Sequence, residues 1–401
     1  MENPIHVMFV YGTRPEAIKM APVILALKGD PRFKVTNVVT GQHRQILDQV
    51  LELFKIEPDI DLNIMQANQT LTGIAVKALQ SLEPVLTEKR PDLLLVQGDT
   101  STAFIGGLAA FYQKIPVGHI EAGLRTDKIY DPFPEEMNRR MLSRIAEMQF
   151  PPTRWAYDNL VKEGLVHKDT YITGNTVTDA LQLILSQLPS GISADMRVCS
   201  YGGCLCGSED LSGLLNTKKR IILVETHRRE NLGAPMASVC RALKRLAADF
   251  PDTEIVFSVH PNPKVREVVC PALKDAPGVR LLEPMNYTEL LRLMRASYLI
   301  MTDSGGIQEE APSLATPVIV LRRTTERPEG INSGNAVLAG CDEEAVYNSA
   351  AKILSSRAEY ESMAKTANPY GDGRASQRIL EAILHRFEPQ SYAAPQPFSA
   401  E

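Results

Sequence analysis

Short, almost wholly apolar runs recur along this chain, each separated from the next by a helix-length stretch, and that alternation leaves few folds open. In the first half the runs are HVMFV, KVTNVV, DLLLVQ, PVGHI, EMQF and YIT. A strand that is apolar on both faces must be covered on both, and a connection long enough for a helix brings the chain back parallel. The second half repeats the pattern with RIILVE, TEIVFSV, VRLL, SYLIMT, PVIVL and NAVLAG. At 401 residues the chain exceeds what one hydrophobic core usually sustains, so two domains are expected. The reading is an α/β fold: two doubly wound parallel-sheet domains facing a central cleft. ITGNTVTDA opens a helix and LPSGISADMRVCSYGGCLCGSED strings together turn formers, which puts the boundary near 175–185. The expected domains are 1–178 and 179–371, and the Pro/Ala/Ser-rich residues 389–401 read as a loose tail.

Charge excludes several function classes. Basic residues number 43 and acidic ones 48, a net −5, so nothing draws the chain globally to nucleic acid or an anionic membrane. Any anionic ligand needs a local site. The N-terminus MENPIHVMFVYG lacks a basic leader and no apolar run reaches membrane-spanning length, which points to the cytoplasm. Six cysteines fit that setting as reduced thiols. Cys199, Cys204 and Cys206 crowd a Gly/Ser-rich insertion without the paired spacing or fourth ligand of a zinc site, so no metal is expected.

Open parallel sheets bind ligands beyond the carboxyl ends of their strands, which directs attention to the residues just after each run. TDSGGIQEEA, residues 302–311, ends a strand and starts a helix. Unpaired N–H groups and the helix dipole at Ser304, Gly305 and Gly306 suit a phosphate, with a Ser-capped turn as the plain alternative. Glu309 and Glu310 lie about 100° apart on a helix. One can accept from a ribose diol while the other favours the dipole from outside. No Walker lysine follows, and Gly12 stands alone where a dinucleotide fingerprint needs three glycines, so neither NTPase nor NAD chemistry is expected. Arg14 and Lys19 in GTRPEAIK can neutralise a diphosphate leaving group or belong to an ordinary surface loop. Asp99 in QGDTST doubles as a helix cap candidate, and Glu135 and Glu136 as first-turn acids. Glu121 follows GHI at an apolar strand end, where a carboxylate is costly unless paired or used. His227 beside Arg228 and Arg229 reads as an anion partner, and His260 in SVHPNP as either that or a structural hydrogen bonder. These residues describe an enzyme that handles a nucleoside diphosphate compound and moves a proton.

Taken in order, GTRPEAIKMAP, TGQH, QGDTST, HIEAGLRT, PEEMNRR, ITGNTV, HRREN, TDSGGIQEEAP, LRRTTERPE and NPYGDGRAS resemble the motifs of the non-hydrolysing UDP-N-acetylglucosamine 2-epimerases. The resemblance runs from the first strand to about residue 385. It implies two Rossmann-like domains of the glycosyltransferase B type and a homodimer. It also implies interconversion of UDP-N-acetylglucosamine and UDP-N-acetylmannosamine without NAD, for envelope or capsular polysaccharide. UDP would leave by anti elimination, giving bound 2-acetamidoglucal, and then add back. Carried over, the resemblance sets the pyrophosphate on Ser304, Gly305 and Gly306, the ribose on Glu310, and Arg14, Lys19 and Arg327 on the phosphates or UDP. His227 would lie beside the leaving group, with Asp99, Glu121 and Glu135 as acid–base candidates.

Relatives commonly bind a second UDP-N-acetylglucosamine as activator, through positions matching Gln42, Gln45, Glu135, Arg228 and His260. Here Asn68 replaces an arginine of that set, and Leu290 replaces an aromatic near the uracil. NPYGDG would let the terminal helix, about 372–388, cross back onto the first domain. The alternatives are a sister epimerase on UDP-2,3-diacetamido-glucuronate, a hydrolysing relative, a glycosyltransferase and a non-catalytic sensor.

Overall fold

The computed structural model describes residues 3–41, 44–64, 70–187, 195–196, 209–215 and 217–400. The chain divides into two compact units. One is Met1–Leu185 with Tyr370–Glu401, the other Ser186–Pro369.

The first unit is built on a parallel sheet of β1 (Ile5–Tyr11), β2 (Phe33–Val39), β3 (Ile60–Asp61), β4 (Leu93–Gln97), β5 (Val117–Ile120) and β6 (Met148–Phe150). Their order is β3-β2-β1-β4-β5-β6. β1 is central and buried along its whole length, as IHVMFVY demands of a strand between two helix layers. β3 is too short to announce itself by periodicity. YIT, residues 171–173, is not a strand: an isolated bridge pairs the preceding Thr170 with Gln149, and the Tyr171 N–H donates to Gln149 O at 2.9 Å.

β7 (Asp195–Met196) and β8 (Glu209–Asp210) form a small antiparallel pair. The second sheet holds β9 (Arg220–Thr226), β10 (Thr253–Val259), β11 (Val279–Leu282), β12 (Ser297–Thr302), β13 (Val318–Val320) and β14 (Ala336–Leu338). Its order, β11-β10-β9-β12-β13-β14, repeats that of the first, and every neighbour pair is parallel. The two sheets thus have the doubly wound Rossmann-like order. Among the described residues no helix is long and apolar enough to cross a membrane.

Buried hydrogen bonds lock the strand-end loops of the first unit together. Glu16, in the first turn of helix Arg14–Lys28, is 1% exposed. Its Oε2 accepts from the N–H groups of Thr13 (2.8 Å) and Gly12 (3.2 Å), and from the Thr13 hydroxyl (2.7 Å). Its Oε1 accepts from the Thr100 hydroxyl at 2.7 Å, joining the loop after β1 to that after β4. The Thr40 and Thr102 hydroxyls meet at 3.2 Å above Gly12, where any Cβ would collide with both.

The terminal helix Ala375–Phe387 packs on helix Arg14–Lys28. Asp179 fixes its start by accepting from the N–H groups of Ala375 (3.1 Å) and Ser376 (2.8 Å). One residue of the Pro/Ala/Ser-rich segment after it, Phe398, makes contacts of its own. Phe398 is 8% exposed, its N–H donates to Ile172 O at 2.8 Å, and the Arg378 guanidinium carbon lies 5.7 Å from its ring centroid.

Burial pushes the Glu16 carboxyl up from 4.5 to about 6, against the opposing hydrogen bonds from Thr100, Thr13 and Gly12. A carboxyl whose pKa is raised by folding stabilises fully below its unfolded value and loses that contribution as pH rises through the folded one. Relative to Glu16→Gln, the wild type should therefore lose about 2 kcal/mol between pH 4 and pH 7. Urea unfolding of both proteins at the two pH values measures this, and a pH-independent difference would contradict it.

Candidate functional site

In the first unit the site is organised around Glu121, directly after β5. Its backbone has φ +67°, a left-handed conformation that side-chain-bearing residues seldom adopt, and the residue is 7% exposed. Lys19 Nζ donates to both carboxylate oxygens, at 2.7 and 2.8 Å, and the Gln97 amide donates to Oε2. Lys19, read from the sequence as a diphosphate partner, is thus bound to this acid. Its ammonium is buried against the acid, because an unpaired carboxylate there would carry a large desolvation cost. Arg14, at the first position of the same helix, is partly exposed.

Asp99 is not the helix cap. Thr100 is, accepting from Ala103 N–H at 3.0 Å. The Asp99 carboxylate instead pairs with Arg139, and its carbonyl accepts from Asn138 Nδ2 at 2.9 Å. The two adjacent glutamates separate by role. Glu136 is fully buried and accepts from Arg140 Nε at 2.7 Å and Thr126 N–H at 3.1 Å, so it holds the helix Glu135–Ile145 in place. Glu135 is half-buried. Below them His119 donates from Nε2 to Gly98 O at 2.8 Å, and burial pushes its pKa down to about 4, so it is neutral at ordinary pH.

In the second unit Ser304 precedes the short helix Gly305–Glu310, but its side chain makes no capping bond. The plain Ser-cap reading therefore does not apply. Arg327 lies close over Gly305: a Cβ there would lie 2.5 Å from its guanidinium carbon and force that group to shift. Arg327 in turn donates from Nε to Glu309 Oε1 at 2.7 Å and pairs with Glu326, which also takes Arg322 at 2.8 Å. Glu309 was expected outside the helix, acting on its dipole. It is 1% exposed and holds Arg327, since the short helix lies with that face inward. Glu310 is buried and accepts from the Tyr287 hydroxyl at 2.8 Å.

Asp303, with no exposed surface, joins the end of β12 to the loop after β9. It accepts from the backbone N–H groups of His227 (3.1 Å) and Arg228 (3.0 Å), from Asn231 Nδ2 (2.7 Å) and from the Thr226 hydroxyl. His227 Nδ1 lies 2.8 Å from Glu225 Oε1, and its ring stacks on that of His260 with centroids 5.2 Å apart. Burial by itself would lower the His227 pKa, but the hydrogen bond and charge of Glu225, helped by Asp303, raise it. His260 goes the other way, pushed down by burial and by His227. Ligand atoms of Glu225, His227 and Asp303 lie within 4.8 Å of one another, yet the donors around Asp303 and the imidazole bond to Glu225 already engage the atoms a cation would use.

The structure thus brings Lys19 to Glu121 and Arg327 to Gly305, and sets Arg228 and His260 beside His227. Gln42, Asn68, Cys199, Cys204 and Cys206 lie outside the described residues, as does the side chain of Gln45. Leu290 is half-buried on the helix Tyr287–Ala296. Sequence reasoning passed over Gln97, Arg139, Glu225, Tyr287 and Glu326. Glu225 alone carried a local signal, an acid at the end of an apolar strand two residues before a histidine.

Residues 25–384 match the family model described as UDP-N-acetylglucosamine 2-epimerase. The chain is 47% identical over 395 residues to the UDP-N-acetylglucosamine 2-epimerase of Bacillus subtilis (strain 168), covering 98% of each chain. Its fold superposes with a TM-score of 0.90 on a putative UDP-N-acetylglucosamine 2-epimerase from Listeria monocytogenes, 44% identical and 99% covered in both chains. For the Neisseria meningitidis UDP-GlcNAc 2-epimerase, solved with UDP-GlcNAc bound, the TM-score is 0.85 at 42% identity, over 95% of this chain and 100% of that one. Agreement of this extent in sequence and in fold, over nearly the whole length, means that the chain belongs to the UDP-N-acetylglucosamine 2-epimerase family.

Proposed function

We propose that this protein is a non-hydrolysing epimerase that interconverts UDP-N-acetylglucosamine and UDP-N-acetylmannosamine, acting as a cytoplasmic homodimer that supplies envelope polysaccharide synthesis. The observation that carries the reading is Glu121, an acid held at a strand end in a strained backbone conformation by a buried ammonium and an amide. A packing role asks for none of this, whereas proton abstraction needs a fixed carboxylate. The binding of UDP-GlcNAc by the Neisseria relative supports the substrate class.

The chemistry follows from the sugar. Its C2 hydrogen has no neighbouring carbonyl to acidify it, so it leaves only if the C1–O bond breaks with it. The C2–H pair forms the C1–C2 double bond, the C1–O pair departs with UDP, and a carboxylate takes the proton. Re-addition of UDP to C1, with a proton delivered to the other face of C2, completes the epimerisation. In this scheme Glu121, Asp99 and Glu135 are the acid–base groups and stabilise positive charge at C1. Lys19 and Gln97 hold Glu121, and Arg139 holds Asp99. The pyrophosphate binds at Ser304, Gly305 and Gly306 with Arg14, Arg327 and His227, and the ribose on Glu310, oriented by Tyr287. A second UDP-N-acetylglucosamine, bound as activator, would draw on Arg228 and His260.

Proton NMR of UDP-N-acetylglucosamine incubated with the protein in heavy water should show the manno isomer with deuterium at C2. Accumulation of free sugar and UDP would assign a hydrolysing enzyme instead, and an untouched C2 would overturn the epimerase reading. In the same assay Glu121→Gln should lower kcat roughly a hundredfold or more. Turnover near that of the wild type, in a variant with an unchanged unfolding midpoint, would remove Glu121 from the mechanism. Gly305→Ala forces the Arg327 guanidinium aside and should raise KM by roughly tenfold, about 1.4 kcal/mol of ground-state binding, with little change in kcat. An unchanged KM would place the pyrophosphate elsewhere.

A further inference from the structure

His227 is one of a stacked imidazole pair, and the two rings are wired differently. His260 Nδ1 lies 3.1 Å from the Asn262 N–H and accepts from it, so in the neutral ring its proton sits on Nε2. His227 Nδ1 lies 2.8 Å from Glu225 Oε1. An ionised carboxylate can only accept, so His227 must carry its proton on Nδ1. The atom that gains or loses a proton with pH is then Nε2, which makes no hydrogen bond among the described residues. With Nε2 protonated the ring offers an anion a positively charged donor. Once Nε2 is deprotonated it presents a lone pair that repels one.

We propose that Glu225 is a positioning residue for His227: its carboxylate fixes the Nδ1–H bond and so makes Nε2–H the face that the imidazolium offers to the diphosphate. This rests on the proposed function for the identity of the anion, but not for the wiring of the ring. The charged and titratable neighbours are accounted for on each side. Asp303 stands 3.6 Å from Nδ1, but its oxygens already accept from Thr226, His227 N–H, Arg228 N–H and Asn231. Arg228 in the same loop opposes the imidazolium, as does His260 when charged, while Arg266 acts on His260. Glu225 is therefore the acid placed to govern His227. It has a fixed seat of its own: it pairs in register with Thr302 of β12, whose hydroxyl lies 3.3 Å from Oε2.

Burial lowers the His227 pKa, but the hydrogen bond and charge of Glu225 together with the charge of Asp303 raise it, so the imidazolium is favoured below that raised value and lost as pH climbs through it. Removing the negative charge while keeping the shape, as in Glu225→Gln, should move the loss to lower pH.

Two measurements test this. Long-range proton–nitrogen NMR of 15N-histidine protein without ligand, with the His227 signals identified by their absence in His227→Asn, reads tautomer and titration midpoint directly. The expected result is a neutral His227 in the Nδ1–H form with a midpoint above 6.5 that falls in Glu225→Gln. A neutral Nε2–H form in the wild type would overturn the proposal with no variant needed, and so would an unmoved midpoint in Glu225→Gln. Deuterium exchange at C2 of UDP-N-acetylglucosamine, followed against pH, reads the consequence. The alkaline limb should shift down in Glu225→Gln, costing about tenfold in rate at pH 8 and little at pH 6. A uniform loss at every pH, with an unmoved His227 midpoint, would reduce Glu225 to packing. If the wild type exchanges no deuterium at all, the functional reading fails while the histidine titration still decides the role of Glu225.

Discussion

A carboxylate at the buried end of a parallel strand has to be given hydrogen-bond donors or it will not stay there, and both units of this protein are organised around meeting that demand. Glu16, Glu121 and Asp303 each sit where strands end and helices begin, and each is almost or wholly buried. Glu16 takes donors from two segments, Thr13 and Thr100, and so does Glu121, from Lys19 and Gln97, while Asp303 takes its donors from the single stretch 226–231 and so ties that loop to the end of β12. The cost of burying the charge thereby becomes a force that holds loops in register. Replacing such an acid together with its partners by apolar residues need not destabilise the fold, because buried ion pairs repay little net stability, whereas removing the acid alone strands its donors. What they supply is fixed geometry at the strand ends.

The two units answer the same problem with different chemistry. In the first, acids are held by cations: Glu121 by Lys19, Asp99 and Glu136 by arginines. In the second, the pattern inverts, and cations are held by acids: Arg327 by Glu309 and Glu326, His227 by Glu225. Under the proposed function this division has a physical sense. A group that takes a proton from carbon and a group that offsets a departing diphosphate need opposite charge, and each must be braced by its complement before the ligand arrives.

The doubly wound sheets were legible because continuous apolar runs at helix spacing admit little else, and strand ends pointed to most of the polar residues discussed. Legibility stopped where partners are distant in sequence. Nothing in GTRPEAIK announces that Lys19 will meet Glu121, because the pairing exists only once β1 and β5 share a sheet. The same holds for Asp99, whose local context is that of a cap until Arg139 arrives from another helix. Glu309 was misjudged because helical spacing fixes the angle between neighbours but not which of them faces inward. YIT and β3 failed for a simpler reason: two or three residues are too few for a period to be seen.

The bond from Thr100 to Glu16 has a mechanical implication. Thr100 adjoins Asp99 in the chain, and Glu16 lies two residues beyond Arg14, so one carboxylate is the rivet between the segment bearing a cation and the segment bearing an acid. Neither segment can swing alone without tearing a buried acceptor from its donors. The spacing between these two backbones is therefore set by the rivet itself, before any ligand arrives.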